Sequence, residues 1–463
     1  MNSGTIVFDA DVMRRYDCEG PRYTSYPSAR QFRGGLLAAD YERAARTSEA
    51  ARRPDPLSVY VHLPFCYSPC FYCGCNRVIT HELSRVDAYV QYLLQEIGLR
   101  SAYFDRKRTV EQLHFGGGTP TFLPQKLLIE VIDRLDRELK LSDDPGRDYS
   151  IEIDPRGVDH GVLQLLSALG FNRVSLGVQD FDENVQRAVN RVQSADLVER
   201  TYESARSLGF GSINFDLIYG LPHQTPASFG ATLDRVVQMR PDRLAVYGYA
   251  HMPSLFKAQR QIRGEDLPEA RARLGLLQLT VDKLCAAGYV YIGMDHFALP
   301  TDGLAKARDN GSLHRSFQGY TTHANRDLVS FGVSAIGQVG DLYVQNYKSI
   351  AEYEQVVAAG LLPQQQGVRM SRDDIIRRDV INQIMCHGFV DRGGIEIKYG
   401  VPFDGYFGSE LRNLQTLAGD GLVDLSDDAI ALTPVGRLLM RNVAMTFDAY
   451  VTSAASLPMS RAI

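Results

Sequence analysis

Between residues 57 and 287, short apolar runs alternate with longer stretches in which apolar residues return every three or four positions. LSVYVHLPF (57–65) reads as a strand, and the segment after it sets Val86, Tyr89, Val90, Leu93 and Ile97 on one helical face. The unit recurs. VEQLHF (110–115) precedes a helical PQKLLIEVIDRLDRELK, YSIEID (149–154) precedes GVLQLLSALG, and NRVSLGVQ (172–179) precedes two short helical stretches through Leu208. SINFDLIYG (212–220) leads into a helix near 226–239, and RLAVYGYA (243–250) into a loop and a helix over 268–287. Six strands alternating with helices predict parallel βαβ units, whose right-handed crossovers curl the sheet toward a barrel. Six units leave that barrel incomplete, so the expected class is α/β with an incomplete (β/α)6 barrel.

Two flanks break the rhythm. Near the start, PRYTSYPSARQF brackets aromatic and hydroxyl residues between Pro21 and Pro27, which suits an extended arm better than a strand or helix. LLPQQQG (361–367) reads as a linker, followed by a helical SRDDIIRRDVINQIMC and by DGLVDLSDDAIALTPVGRLLMRNV, a short hairpin and a helix. The expected divisions are an arm over 1–45, a catalytic barrel with an extension over 46–362, and a mostly helical, winged-helix-like domain over 363–463.

Composition excludes several classes. Hydrophobic residues at 44% and charged residues at 23% are ordinary for a globular chain, and seven cysteines in 463 residues are too few for a disulfide scaffold. MNSGTIVFDADVMRRYD carries no apolar leader core, and no run approaches about eighteen apolar residues. The expectation is a cytoplasmic protein without a membrane anchor. A net charge of -5, with the C-terminal basic residues interspersed among acids, argues against a nucleic-acid partner. A regulator built on the winged-helix-like tail is the remote alternative.

Four of the seven cysteines fall within ten positions, in CYSPCFYCGC (66–75), directly after the first strand. In a reducing compartment such clustering points to metal binding or chemistry rather than to disulfides. Zinc sites favour paired C-x2-C units with a distant second pair, which this chain lacks. A [4Fe-4S] cluster usually takes four thiolates. Cys66, Cys70 and Cys73, spaced C-x3-C-x2-C, could hold three irons and leave the fourth open to a ligand, an arrangement suited to catalysis.

That spacing after the first strand of a βα barrel resembles the radical S-adenosylmethionine (SAM) superfamily, and HFGGGTP (114–120), IEIDP (151–155) and SLGVQDF (175–181) extend the match. Within it the whole chain is similar to the oxygen-independent coproporphyrinogen III oxidases, through PRYTSYP, CxxxCxxCxC, NFDLIYGLPHQT (214–225), YIGMDHFALP (291–300), HRSFQGYTT (314–322) and RNVAMTFDAY. The resemblance implies a haem-biosynthetic oxidoreductase that converts two propionates of coproporphyrinogen III to vinyl groups, giving protoporphyrinogen IX. It implies one [4Fe-4S] cluster on Cys66, Cys70 and Cys73, two SAM molecules, a cellular electron donor and an electron acceptor, and a monomer.

For the SAM at the cluster the resemblance implies Tyr60, Gly117, Glu152 and Ile336. For the second it implies Tyr72, Gly118, Thr119, Gln179, Arg191, Asp216 and Ala250. Tyr72 stands where the family commonly has Phe, so only an aromatic wall or backbone contact carries over there. The glycines suit close backbone approach to a ligand. Cys75, not needed for the cluster, is assigned a role in proton or electron handling during turnover. A haem-binding chaperone of the same superfamily is the alternative; it typically has Phe at the position of Cys75 and lacks the PRYTSYP arm. A carboxylate-rich substrate calls for arginines or lysines, and Arg22 in the arm is the candidate. His62, His114, His251 and His296 are expected in structural hydrogen bonds, and Cys18, Cys285 and Cys386 as packed free thiols.

Overall fold

The computed structural model describes residues 6–36, 38–51, 54–451 and 461. The ends of the expected arm and C-terminal domain, at 1–5, 452–460 and 462–463, lie outside the described residues, as does 37 in the arm. Six strands carry the barrel: β1 (Leu57–Leu63), β2 (Val110–Gly117), β3 (Asp148–Ile153), β4 (Arg173–Gln179), β5 (Ser212–Tyr219) and β6 (Arg243–Gly248). They lie side by side in chain order and every neighbouring pair is parallel. Six of the seven residues of β1 are buried, as expected for a parallel strand covered on both faces.

The covering helices show why the sequence folds this way. Gln125–Leu139 turns Leu127, Leu128, Val131, Ile132, Leu135 and Leu139 inward at helical spacing. Pro226–Met239, with the bounds its pattern predicted, starts at Thr225, which shares a capping box with Ser228.

The extension adds strands that periodicity did not reveal. These are β7 (Val290–Gly293), β8 (His296–Ala298), β9 (Leu328–Phe331), β10 (Ile336–Val339), β11 (Leu342–Asn346) and β12 (Gln364–Arg369). They continue the sheet in the order β12-β11-β10-β9-β1 at one edge and β6-β8-β7 at the other. Of these only β9 runs parallel to its neighbour in the barrel, β1. The expected linker at 361–367 is therefore corrected: most of it is β12, paired with β11. Its glutamines read as polar loop because an edge strand leaves them half-buried. Gly367 is obligatory there, since a Cβ would stand 2.1 Å from the Tyr343 carbonyl oxygen.

The arm also departs from expectation. Residues 21–28 are irregular, but Ala10–Tyr16 and Ala38–Glu49 are helices, and the expected boundary between 45 and 46 falls inside the second. Asp9 caps the first by accepting the Asp11 and Val12 amides at 3.0 Å each. The irregular stretch is fastened down: the Tyr23 hydroxyl donates to Asp448 at 2.9 Å, and the Ala449 amide donates to the Tyr26 hydroxyl at 3.0 Å. Beyond β12, the helices Arg372–His387, Arg392–Tyr399 and Gly408–Gly419 pack with a three-stranded antiparallel sheet of Phe389–Asp391, Val423–Leu425 and Ala429–Leu432. Among the described residues no helix is long and apolar enough to cross a membrane.

Candidate active site

The cysteine loop leaves the C-terminal end of β1 and borders a cavity of about 1050 Å³. It is built against the glycine run at the end of β2. The Gly118 amide donates to the Leu63 carbonyl and the Thr119 amide to the Phe65 carbonyl, both at 2.8 Å. A Cβ on Gly118 would stand 2.7 Å from the Pro64 carbonyl group, and Gly117 has φ +119° with His62 packed where its side chain would be. These two glycines are thus required first by contact between protein segments, a stronger reason than the ligand approach expected from the sequence.

A second segment, after the helix Glu183–Ala188, clasps the loop from the other side. The Val189 carbonyl accepts the Phe71 amide at 2.9 Å, and the Asn190 side chain donates to the Pro69 carbonyl at 2.7 Å. Next in sequence, Arg191 donates to Asp154 at 2.8 Å, to the Gly177 carbonyl at 2.7 Å and to Cys70 Sγ at 3.6 Å. Burial opposes its charge, yet Tyr72, Asp154 and Cys70 outweigh that and raise its pKa. Asp154 also accepts from Arg156, and its pKa is lowered because the two guanidiniums overcome its burial. Arg77 donates to the carbonyls of Cys73 and Cys70 at 3.1 and 3.0 Å, holding the turn between them.

Carboxylates from the barrel strands face the same space. Glu152 accepts the Gly117 amide at 3.1 Å and lies 3.3 Å from His114 Nε2. Asp216 accepts from Ser175 at 2.8 Å and from Asn214 at 2.9 Å; burial, with the Glu152 charge adding to it, still pushes its pKa up to about 6. A register shift between Gly177 and Gln179 in β4, with Gln179 at φ +66°, interrupts the strand where Gln179 joins the lining. Gln259 ties the cysteine loop to the end of β6 by donating to the carbonyls of Tyr72 and Ala250 at 2.9 and 3.2 Å.

The large cavity gathers Cys66, Cys70, Cys73, Cys75, Tyr72, Gly117, Gly118, Thr119, Glu152, Gln179, Arg191, Asp216 and Ala250, together with Arg22. Tyr60 and Ile336 are not in that lining. They border an adjoining cavity of about 420 Å³ that shares Arg22, Glu152 and Tyr247 with the first. Tyr60 stacks on His114 with centroids 5.8 Å apart and meets His62 Nδ1 at 3.0 Å. His62, His114 and His251 have hydrogen-bond partners, whereas His296 Nδ1 is buried without one. Cys386 is buried as expected, but Cys18, in the irregular stretch after Ala10–Tyr16, and Cys285, on the outer face of the helix Ala270–Ala286, are exposed.

Sequence reasoning gave no role to the braces Arg77, Asp154 and Arg156. Only Asp154 had a signal available, an Asp directly after a strand and before a Pro, the pattern of an N-cap.

Cys66, Cys70 and Cys73 border one cavity and their thiolate chemistry suits a cluster, although among the described residues no group of three or more such side chains is already gathered as for a single metal ion. Arg191 and Arg156 approach Cys70 Sγ at 3.6 and 3.9 Å, and Thr119 Oγ1 lies 3.5 Å from Cys66 Sγ, so hydrogen-bond donors already face the sulfurs. Burial pushes the Cys66 thiol up to about 11, while a hydrogen bond from Cys75 brings Cys73 down to about 6. Soft sulfur ligands of this kind suit iron-sulfur ligation.

Comparison with known proteins agrees with this geometry. Residues 60–236 match the model of the radical SAM superfamily, and residues 370–439 match the HemN C-terminal domain. The chain is 50% identical over 459 residues to the oxygen-independent coproporphyrinogen III oxidase of Pseudomonas aeruginosa, covering 99% of both, and 45% identical over 458 residues to that of Escherichia coli K12, covering 99% of this chain and 98% of the relative. The solved structure of Escherichia coli coproporphyrinogen III oxidase (HemN), described as a radical SAM enzyme, superposes with a TM-score of 0.91 at 44% identity, covering 96% of this chain and 100% of that one. The chain belongs to the oxygen-independent coproporphyrinogen III oxidase family of the radical SAM superfamily.

Proposed function

We propose that this protein converts two propionate side chains of coproporphyrinogen III to vinyl groups without oxygen, giving protoporphyrinogen IX, and that Cys66, Cys70 and Cys73 hold its one [4Fe-4S] cluster. The observation that carries the reading is the convergence of the three-cysteine loop, the strand-end carboxylates and the arm's Arg22 on one cavity. When bound, the cluster and SAM would supply the one-electron chemistry that removes a hydrogen atom from a propionate, with carbon dioxide released and one electron passed to the acceptor. A cellular electron donor and an electron acceptor serve this cycle.

The chain's own residues bind and orient. Two SAM molecules are accommodated, one contacting Tyr60, Gly117, Glu152 and Ile336, the other Tyr72, Gly118, Thr119, Gln179, Arg191, Asp216 and Ala250. The larger cavity, of about 1050 Å³, lies at the top of the range of about 300–1000 Å³ that single drug-sized ligands fill, and a smaller one of about 420 Å³ adjoins it. Glu152, the carboxylate common to both cavities, suits an ammonium group at their junction. Arg22 pairs with Asp295, lies over Tyr247 at 5.6 Å and borders both cavities, where it helps the arm close the site against water. The free thiols suit a reducing cytoplasm.

Iron and sulfide analysis after anaerobic reconstitution, with SAM bound at equilibrium, tests the assignments. Four irons and two SAM per chain are expected, and Cys66→Ala, Cys70→Ala and Cys73→Ala each lose the cluster. One SAM per chain would overturn the second site, and a cluster surviving Cys70→Ala would overturn the ligand set.

A further inference from the structure

Arg315 is a buried cation without an anion. It lies on the strand His314–Ser316, directly opposite Tyr320 of Gly319–Thr321, and its guanidinium sits 4.6 Å over the Tyr320 ring. Only 5% of the residue is exposed. Nη2 donates to the Arg22 carbonyl at 3.3 Å, while Nε and Nη1 have no partner. It forms no ion pair among the described residues, although desolvating an unpaired charge is costly.

The surroundings lack a counter-charge. Arg22 stands beside it and takes Asp295, and no carboxylate pairs with Arg315 among the described residues. His296 borders the same cavity with Nδ1 unpartnered, and burial together with Arg315, Arg22 and Arg243 drives its pKa down to about 3, so the ring stays neutral. The one acid in the cavity lining, Glu152, accepts the Gly117 amide and also borders the larger cavity. In this space of about 420 Å³ Arg22 is already paired with Asp295, which leaves the Arg315 guanidinium as the cation able to receive an organic anion.

The location limits which anion. No cysteine borders this smaller cavity; all four of the clustered ones border the larger. Given the function proposed above, on which this inference rests, the substrate brings four propionates and two of them react. A reacting propionate must enter the larger cavity. We propose that Arg315, in the smaller cavity, binds a propionate carboxylate that the reaction leaves intact, and so sets the tetrapyrrole's orientation relative to the cluster loop. The same contact persists in the product.

Anaerobic equilibrium titration of the cluster-loaded protein with coproporphyrinogen III and with protoporphyrinogen IX tests this. In Arg315→Gln protein that retains its cluster absorbance, both ligands should bind about tenfold to a hundredfold more weakly, the effect of losing a charge-assisted pair at a buried site. Weakening of coproporphyrinogen III alone would place Arg315 at a reacting propionate, and wild-type affinity for both would remove it from substrate binding; either result overturns the proposal. The wild-type protein gives the same test without disturbing the hairpin. Protoporphyrinogen IX dimethyl ester, with both surviving carboxylates masked, should bind more weakly than the free acid by a similar factor, and equal affinities overturn the proposal. Failure of the wild-type protein to bind either tetrapyrrole would sink the functional reading and the proposal with it.

Discussion

Removing the small Asp154 side chain should destabilise the protein more than removing the Arg191 guanidinium. Asp154 sits between two cations, accepting Arg191 Nη1 at 2.8 Å and Arg156 Nη2 at 2.7 Å, with its side chain 13% exposed and that of Arg191 8% exposed. In Arg191→Met no acceptor is abandoned: Asp154 keeps Arg156, and the Gly177 carbonyl keeps Gln193 Nε2 at 3.0 Å. The loss is then that of hydrogen bonds from a charged donor, about 1.5–3 kcal/mol, partly offset because a guanidinium no longer has to be desolvated. In Asp154→Ala the buried Arg191 loses the one carboxylate it pairs with among the described residues and faces Arg156 across the gap, the situation that costs about 3–5 kcal/mol.

Urea unfolding of the cluster-free variants measures this ordering, and because the chain has no Trp, far-UV circular dichroism is the signal to follow. The folded pKa of Asp154 is lowered, so its contribution is present above the unfolded value and is lost as pH falls. The gap between wild type and Asp154→Ala should therefore narrow as pH drops below about 4. An Arg191→Met protein as unstable as Asp154→Ala, or a gap that widens in acid, would refute the electrostatic reasoning.

Three other outcomes follow from the site. Asp216, with its pKa pushed up to about 6, should accept hydrogen bonds from a ligand best above that pH. SAM binding should weaken as pH falls through 6 in the wild type and lose that step in Asp216→Asn; an unchanged profile in the variant removes Asp216 from the site. Gly118→Ala drives a Cβ to within 2.7 Å of the Pro64 carbonyl group and should displace the cysteine loop, seen as loss of cluster absorbance on reconstitution; a full cluster would show that the loop yields freely. Cys75→Ser should keep the cluster while forming less product, and full product formation would end the assignment of a turnover role to Cys75.

The barrel was legible because each parallel strand is a short buried run followed by a helix with an inward stripe, as at β2 and Gln125–Leu139. The extension was not, since β7 to β11 are only three to five residues long, too short for a periodicity to accumulate. The polar edge strand β12 resembled a linker for the same reason that edge strands tolerate glutamine. Within the site, the cysteines announced themselves by spacing, while Asp295 and Arg315 lie 273 and 293 positions from Arg22, around which the fold brings them. Unpaired burial, which marks Arg315, is a property of three-dimensional packing and has no sequence counterpart.

The most direct test of the account is mass-resolved analysis of the tetrapyrrole after the reconstituted, reduced protein is incubated anaerobically with SAM, coproporphyrinogen III and an electron acceptor. Loss of two carboxyl groups, dependent on SAM and abolished in Cys66→Ala, Cys70→Ala and Cys73→Ala, is the predicted result. SAM cleavage by a cluster-loaded protein that leaves the tetrapyrrole intact would contradict it.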